Sequence, residues 1–194
     1  ADTLGTTPWA YRWTPYAVTF HRRTAALDAT LAYRFSDDLP GVVLQLTLVN
    51  RTGRRAEVEV DAALATTLRT SHTYATRTPA QTAFVDGGSS FLAYFDAADT
   101  DSVALFVANV GARPRPALAP AGDVAAFTYA ADLAPGDSLV VTQLIGTSRQ
   151  RESDAVRQRA VATWAEGVAA TEDGIRAYVR DVGRFEGLDP ALQQ

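Results

Sequence analysis

The fold class is decided by one stretch of the chain, Val42-Val43-Leu44-Gln45-Leu46-Thr47-Leu48-Val49-Asn50-Arg51-Thr52-Gly53. Its first part is almost entirely aliphatic and β-branched, which is typical of a strand, and Asn50 and Gly53 suit the left-handed backbone of a short hairpin loop. A return strand is predicted over residues 56–68. Its valines share one face, and its other face carries three acidic residues: Glu57, Glu59 and Asp61. The stretch therefore predicts an antiparallel hairpin with one face in a core and a solvated carboxylate face.

Similar segments recur on both sides of this hairpin. Alternating apolar residues predict a strand over 27–35, and shorter strands are predicted over 83–85, 91–95, 103–110, 124–130 and 139–145. Residues 103–107 are apolar on both faces, as in a central strand that is covered on both sides. Gly, Pro and Asp clusters separate the segments, including 114–120, and residues 1–15 are expected to be irregular. We predict a mainly β fold, namely a large antiparallel two-sheet β-sandwich.

The pattern changes near Ser148. Ser153 or Asp154 is placed to cap a helix, and apolar residues then recur about every fourth position along two successive stretches, with a break at Glu166-Gly167. We therefore expect a sandwich domain over 1–150 and a C-terminal helical linker over 151–194, leading to a domain downstream of Gln194. The apolar residues expected to contact that domain are Val156, Trp164, Ile175, Tyr178 and Phe185.

Composition narrows the possible partners. The 194-residue chain has a net charge of −4, with no visible basic stripe, so we expect no nucleic-acid partner. It contains no run of about 18 apolar residues that could span a membrane, so we expect no membrane partner. Cysteine is absent, which excludes disulfides and thiolate chemistry. Methionine is absent too, so whether Ala1 follows a signal peptide or another cut is open, as are cytoplasmic and exported locations.

The motif search predicts no catalytic residue, no metal site and no cofactor. The chain lacks a Gly-x-Ser-x-Gly elbow, a phosphate loop and a dinucleotide fingerprint. Its two histidines, His21 and His72, have no obvious partner, which disfavours a triad or a histidine-rich metal site. Three aspartates crowd one turn and are expected to bond their own backbone: Asp96, Asp99 and Asp101. The carboxylates of the hairpin and Asp86 are expected to be solvated.

Aromatic residues near the N-terminus are the strongest local indication of a contact surface. Four of them fall within eight residues: Trp9, Tyr11, Trp13 and Tyr16. Aromatic faces stack on sugar rings and also strengthen protein interfaces. We therefore predict carbohydrate or interface contact through these four residues. The alternative is that they lie under the sandwich as part of its core.

Residues 39–53, the strand beginning at Leu133-Ala134-Pro135-Gly136-Asp137 and the helices over 154–185 together resemble a known arrangement. The chain is similar to the N-terminal β-sandwich, or super-sandwich, of glycoside hydrolases and phosphorylases that carry a six-hairpin (α/α) catalytic barrel. The resemblance implies that the catalytic acid and base lie in that barrel, outside this chain, and that the sandwich packs against it. Related sandwiches form aldose epimerases that use histidine and glutamate, but that pattern does not map onto His21 or His72.

The resemblance implies a non-catalytic sandwich domain of a carbohydrate-active enzyme, whose parent is a glycoside hydrolase. Its expected partner is the downstream catalytic domain of the same polypeptide, and an oligosaccharide is a second candidate partner. No activity is expected from this chain alone. Two alternatives stay open, namely a free-standing carbohydrate-binding module and a structural sandwich protein without sugar chemistry.

Overall fold

The computed structural model describes residues 9–69, 76–96, 98–119 and 124–182. The predicted residues His72 and Phe185 lie outside these ranges. Within them the strands are β1 Ala10–Thr14, β2 Ala17–Arg23, β3 Leu27–Arg34, β4 Gly41–Asn50, β5 Ala56–Ala65, β6 Leu68–Arg69, β7 Thr76–Arg77, β8 Gln81–Val85, β9 Ser90–Tyr94, β10 Val103–Gly111, β11 Arg115–Leu118, β12 Val124–Leu133 and β13 Ser138–Arg149. One long helix follows, α1 Ser153–Val182, and short 3-10 turns form at Asp86–Gly88 and Gln150–Glu152.

The strands form two facing sheets and a small ribbon. Sheet A has eight strands in the order β1-β2-β3-β4-β13-β10-β9-β8, and sheet B has three in the order β11-β12-β5. Strands β6 and β7 pair only with each other among the described strands. The paired strands are antiparallel throughout. The predicted mainly β, two-sheet sandwich followed by a C-terminal helix is confirmed.

Sheet A carries a hydrophobic core on each of its faces. The core against sheet B includes Phe91, Val107 and Phe127, each no more than 1% exposed. The core on the opposite face includes Phe106, Leu144 and Val168, and α1 covers it. Burial of one such side chain contributes about 1.5–3 kcal/mol relative to leaving it exposed. The prediction that residues 103–107 form a central strand covered on both sides is confirmed, because successive residues of β10 enter the two cores in turn.

The helical region forms one helix, so the predicted break at Glu166-Gly167 is wrong. Gly167 is buried, and a Cβ atom there would overlap with Ser36 Oγ in the β3–β4 connection. One turn later Thr171 Oγ1 accepts a hydrogen bond from the backbone N–H of Asp37, at 3.0 Å. The glycine therefore allows the helix to approach the sandwich closely, and this contact offsets its low helix propensity of about 1 kcal/mol.

A buried arginine anchors the start of α1. The side chain of Arg157 is 4% exposed, and its Nη1 donates to the Asp86 carboxylate and, at 3.2 Å, to Ser90 Oγ. Its Nη2 donates to Asp154 Oδ1 at 3.0 Å. Asp86 has a φ of 54°, in the left-handed region that Asp and Asn tolerate best among non-glycine residues. These bonds tie the helix to the turn between β8 and β9.

Ser153 does not cap α1 as predicted. Its hydroxyl donates to the Gln150 carbonyl at 2.8 Å, and the 3-10 turn over 150–152 leads directly into the helix.

The left-handed backbone predicted for the loop of the first hairpin is wrong, because neither Asn50 nor Gly53 has a positive φ. The loop is held instead by the Asn50 side chain, whose Nδ2 donates to the carbonyls of Arg54 and Leu133 at 2.8 and 3.0 Å.

Two segments predicted to be irregular form edge strands. Strand β1 lies within residues 1–15 at one edge of sheet A, and β11 lies within 114–120 at one edge of sheet B. Pro116 sits inside β11, where an edge position tolerates the missing backbone N–H. Both segments were predicted to lack strands because they contain proline, which is compatible with a turn and equally with a strand at the edge of a sheet.

Candidate functional site

The two sheets differ in width, and this leaves part of sheet A uncovered. On β3 and β4, Leu27 and Leu48 are buried under sheet B, whereas Leu31, Tyr33 and Leu44 on the same face are only half-buried. A groove of about 810 Å³ opens between these residues and β5 of sheet B. A second depression, against β2 and β3, adjoins it and shares Trp9, Leu31 and Tyr33 with the groove.

The strand register gives this open face its composition. Paired residues of antiparallel strands share a face, so one row runs from β1 to the middle of sheet A: Trp13, Val18, Tyr33, Leu44, Gln143 and Asn109. A parallel row contains Tyr11, Phe20, Leu31, Leu46 and Val141. We call the part of these rows on β1–β3 the open shelf; it comprises Tyr11, Trp13, Val18, Phe20, Leu31 and Tyr33.

Aromatic rings cross the open shelf in a ladder. The centroids of Tyr11 and Phe20 lie 6.3 Å apart, and those of Phe20 and Tyr33 lie 6.1 Å apart at an interplanar angle of 81°. Such pairs contribute about 0.5–1.5 kcal/mol beyond the burial of their area. Tyr11 and Trp13 are nevertheless 75% and 69% exposed. Phe20 and Tyr33 therefore pack as neighbouring rings, while Tyr11, at the outer end of the ladder, and Trp13 face solvent.

The structure separates the four aromatic residues predicted to form a contact surface. Tyr11 and Trp13 lie on the open shelf, and Trp9 is half-buried and packs against the core beside the groove. Tyr16 lies in the β1–β2 turn, where the Arg176 guanidinium of α1 stands 4.8 Å from its ring centroid and donates to its hydroxyl at 3.3 Å. Contact with carbohydrate or with another protein stays a prediction for all four residues.

The residues predicted to meet a further domain also lie in different surroundings. Val156 and Trp164 pack against the core between α1 and sheet A, and Ile175 is half-buried. Tyr178 is 65% exposed, as is its neighbour Val179 to 48%. The exposed part of the apolar stripe is thus the C-terminal end of α1. An interface role for these residues stays a prediction.

A buried polar cluster ends the first row, and the sequence analysis missed it. Gln143 Nε2 donates to Asn109 Oδ1 at 2.9 Å and to the Tyr129 hydroxyl at 3.1 Å. The Tyr129 hydroxyl donates to Asn109 Oδ1, and Asn109 Nδ2 donates to the Ser89 carbonyl at 2.9 Å. Burial raises the pKa of Tyr129 to about 12, although the bond from Gln143 opposes the shift. The available signal was a polar residue at an inward position of an apolar strand, which occurs at both Asn109 and Gln143.

The hairpin carboxylates lie on the outer face of sheet B, exposed as predicted. Glu59 forms an ion pair with Arg115 at 2.9 Å, and Asp61 accepts from Thr128 Oγ1 at 2.6 Å. Glu57 stands opposite Asp132 across the β5–β12 pair. Glu59 and Asp61 therefore have structural partners on this exposed face, and all three carboxylates also border the groove beside β5.

The remaining polar candidates have local structural partners. His21 Nε2 contacts Asp28 Oδ1 at 2.6 Å, so the expectation that His21 lacks a partner is wrong. Burial raises the pKa of Asp28, but the hydrogen bonds and charges of His21 and Arg23 outweigh that effect and hold the pKa below its usual value. Asp96 and Asp99 accept bonds from nearby backbone N–H groups, as predicted. The prediction is wrong for Asp101, whose carboxylate instead pairs with Arg151 at 2.5 Å.

The described residues form neither a cluster of metal ligands nor a helix that could span a membrane. Across residues 9–69, 76–96, 98–119 and 124–182, no three histidine or acidic side chains group closely enough to hold a metal ion. Over the same ranges, α1 lacks the continuous apolar length that crossing a membrane requires.

Comparison with known proteins yields similarity of fold alone. No protein-family model matches the chain, and no curated protein matches its sequence. Among solved structures it is similar to a protein described as a kojibiose phosphorylase from the human microbiome, with 9% identity and a TM-score of 0.51, covering 78% of this chain and 20% of that one. A heparinase III gives 10% identity and a TM-score of 0.51, covering 76% of this chain and 22% of the other.

A third structure, described as an aldose 1-epimerase from Escherichia coli K12, is 10% identical with a TM-score of 0.44, covering 74% of this chain and 69% of that one. The chain spans only about a fifth of the phosphorylase and the heparinase. The class that emerges is a large β-sandwich domain of a kind that also occurs within carbohydrate-active enzymes.

Proposed function

We propose that this chain is a non-catalytic sandwich domain of a carbohydrate-active enzyme and that it supports a catalytic domain of the same polypeptide. The fold it shares with the phosphorylase and the heparinase supports the carbohydrate class. The exposed Tyr178 and Val179, on a helix whose first half packs one face against sheet A, support a contact at the C-terminal end of α1. Glu59 and Asp61 of β5 have structural partners in Arg115 and Thr128, and we assign catalysis to the neighbouring domain.

Hydrogen exchange tests the contact at α1. The exchange of amides near Tyr178 is measured in the 194-residue chain and in the complete gene product. We expect at least tenfold slower exchange around Tyr178 and Val179 in the longer protein, and no glycoside hydrolysis by the shorter one. Tyr178→Asp in the longer protein should abolish the extra protection, whereas Glu152→Gln, an exposed change at the other end of the helix, should not. Equal exchange in both proteins, or hydrolysis by the isolated chain, would contradict the proposal.

A second candidate function is carbohydrate binding through the open shelf. The exposure of Tyr11 and Trp13, two residues apart on one face of β1, favours it because successive rings on a strand face can stack on a sugar chain. Calorimetry with neutral gluco-oligosaccharides at millimolar concentration tests this function. We expect Trp13→Ala to weaken binding at least tenfold and Tyr178→Ala, which removes an exposed ring elsewhere, to leave it unchanged. Absence of any binding heat would remove this candidate.

A further inference from the structure

Strand β5 has an edge that no described strand pairs with. It is the last strand of sheet B, it spans ten residues, and its other edge pairs with β12 along its whole length. Sheet edges are usually protected by proline, a bulge, charged side chains, or a covering helix or loop, and β5 has charged side chains on its outward face only. The segment Ala56–Ala65 contains no proline, and the side chains that face sheet A are apolar: Val58, Val60, Ala62 and Leu64. Among the described residues, this edge of β5 therefore presents unpaired backbone donors and acceptors beside an apolar wall.

That wall is the far side of the 810 Å³ groove, and it is largely aliphatic. Sheet A contributes Leu31, Leu44, Leu46 and Ile145, all of them half-buried. The volume falls within the range of about 300–1,000 Å³ that is typical of ligand clefts. The polar side chains that reach the groove from this wall are Tyr33 and Gln143, and the amide nitrogen of Gln143 already bonds Asn109 and Tyr129. On the β5 side the lining includes the carboxylates of Glu57, Glu59 and Asp61.

These walls select between classes of occupant. A sugar held against the sheet A wall finds few hydrogen-bond partners there, because Tyr33 and Gln143 are the polar side chains that sheet A contributes to the lining. An acyl chain fits the wall but leaves the backbone groups of β5 without partners. An extended polypeptide satisfies both requirements, because its backbone pairs with the edge while alternate side chains enter the apolar groove.

Charge distinguishes a foreign strand from a second copy of this chain. The outward face of β5 carries Glu57, Glu59 and Asp61, and Glu57 forms no ion pair with the described residues. If β5 paired with β5 of a second copy, like charges would lie opposite one another, and this arrangement is destabilising. A strand with Lys or Arg at its outward positions would instead be attracted.

We propose that β5 accepts an extended segment of a partner polypeptide as a fourth strand of sheet B. Alternate apolar residues of that segment fill the groove, and basic residues between them face Glu57, Glu59 and Asp61. This inference does not depend on the proposed carbohydrate function.

Synthetic nine-residue peptides test the proposal on the full 194-residue chain. The probe alternates Val or Leu with Arg or Lys. One control has the same composition in scrambled order, a second has Glu in place of the basic residues, and a third carries N-methyl groups on alternate amides. Anisotropy measures affinity, and hydrogen exchange reports on the amides of β5. We expect the probe to slow exchange at alternate β5 amides at least tenfold, and each control peptide to bind at least tenfold more weakly.

Protein variants test the charge argument without disturbing the core. Glu57→Arg should weaken the binding of the basic probe severalfold. Glu152→Gln changes an exposed acid in the turn before α1 and should leave the affinity for the probe unchanged. Equal binding of the scrambled peptide would overturn the proposal, as would β5 amides that are already as protected as those of β12 in the free chain. A dimer in sedimentation velocity that the probe dissociates would identify a second copy as the occupant and would also overturn it.

Discussion

The ion pair between Arg157 and Asp86 anchors α1, and we expect its two partners to differ in how much stability is lost when each is removed. Arg157 is buried, whereas the side chains of Asp86 and Asp154 are 50% and 67% exposed. If the arginine is removed, both carboxylates can become hydrated. If Asp86 is removed, a buried guanidinium is left with Asp154 as its only described acidic partner. Loss of one partner of a fully buried pair costs about 3–5 kcal/mol, and the exposure of Asp86 reduces the expected cost to about 2 kcal/mol.

We therefore expect Asp86→Asn to lower the free energy of unfolding by about 2 kcal/mol. Asparagine tolerates the left-handed backbone at this position, so the substitution tests charge and not strain. Arg157→Met retains an apolar side chain of similar length and also removes Nε, which is buried without a hydrogen bond to the described residues. We expect this substitution to change stability by less than about 1 kcal/mol.

Urea denaturation followed by tryptophan fluorescence and far-UV circular dichroism measures these differences. The double variant should resemble Arg157→Met alone, because Asp86 matters mainly through the arginine, and the cycle thus gives a coupling energy of about 2 kcal/mol. Glu152→Gln, an exposed change in the preceding turn, is the matched control and should be neutral. If Arg157→Met costs more than Asp86→Asn, the view that burial of the arginine makes the pair asymmetric is refuted.

Three further outcomes are expected from the same measurements. Gly167→Ala should destabilise the chain by about 1–3 kcal/mol, because the added Cβ overlaps with Ser36 Oγ and this outweighs the better helix propensity of alanine. Gly174 has open space around it, so Gly174→Ala should stabilise the chain by up to about 1 kcal/mol, and the reverse order of the two variants would contradict close packing at Gly167. The pKa of Tyr129 is higher in the folded than in the unfolded chain, so its contribution to the free energy of unfolding should be fully present below about pH 10 and should be lost between about pH 10 and pH 12. Tyr129→Phe should remove this loss, and an unchanged alkaline profile in the variant would count against the assignment. Trp13→Ala should change the free energy of unfolding by less than about 0.5 kcal/mol because the side chain is exposed, and a larger loss would show that Trp13 belongs to the core.

The sequence predicted the strands well where burial and alternation coincide. Strands β3, β4, β10 and β13 follow their apolar patterns closely, because period-two burial is encoded locally. Strands β1 and β11 were missed because proline next to a strand and proline in a turn look the same without knowledge of the sheet edge. Gly167 was misjudged for a similar reason, since a glycine that ends a helix and one that permits a close contact have the same local pattern.

The candidate site was predictable only in part. Tyr11 and Trp13 were found because they are close in sequence and share a strand face. Phe20 and Tyr33 complete the aromatic ladder, but they join it through the register of β1, β2 and β3, which no local pattern reveals. The width of sheet B determines that the ladder is uncovered, and this width depends on how distant strands pair.

Two of the three surfaces proposed to contact other molecules, the C-terminal end of α1 and the open shelf, lie on opposite faces of sheet A and approach each other at its β1 edge. The contact between Arg176 and Tyr16 brings the C-terminal end of α1 to the β1–β2 turn, and Trp13 pairs with Val18 directly beside that turn. A neighbouring domain that wraps this edge would contact Tyr178 and Trp13 together, whereas separate partners would contact them one at a time. Exchange protection in the complete gene product distinguishes these cases. Under the wrapping arrangement, Tyr178→Asp should also reduce protection in β1, and under separate binding it should leave β1 unchanged.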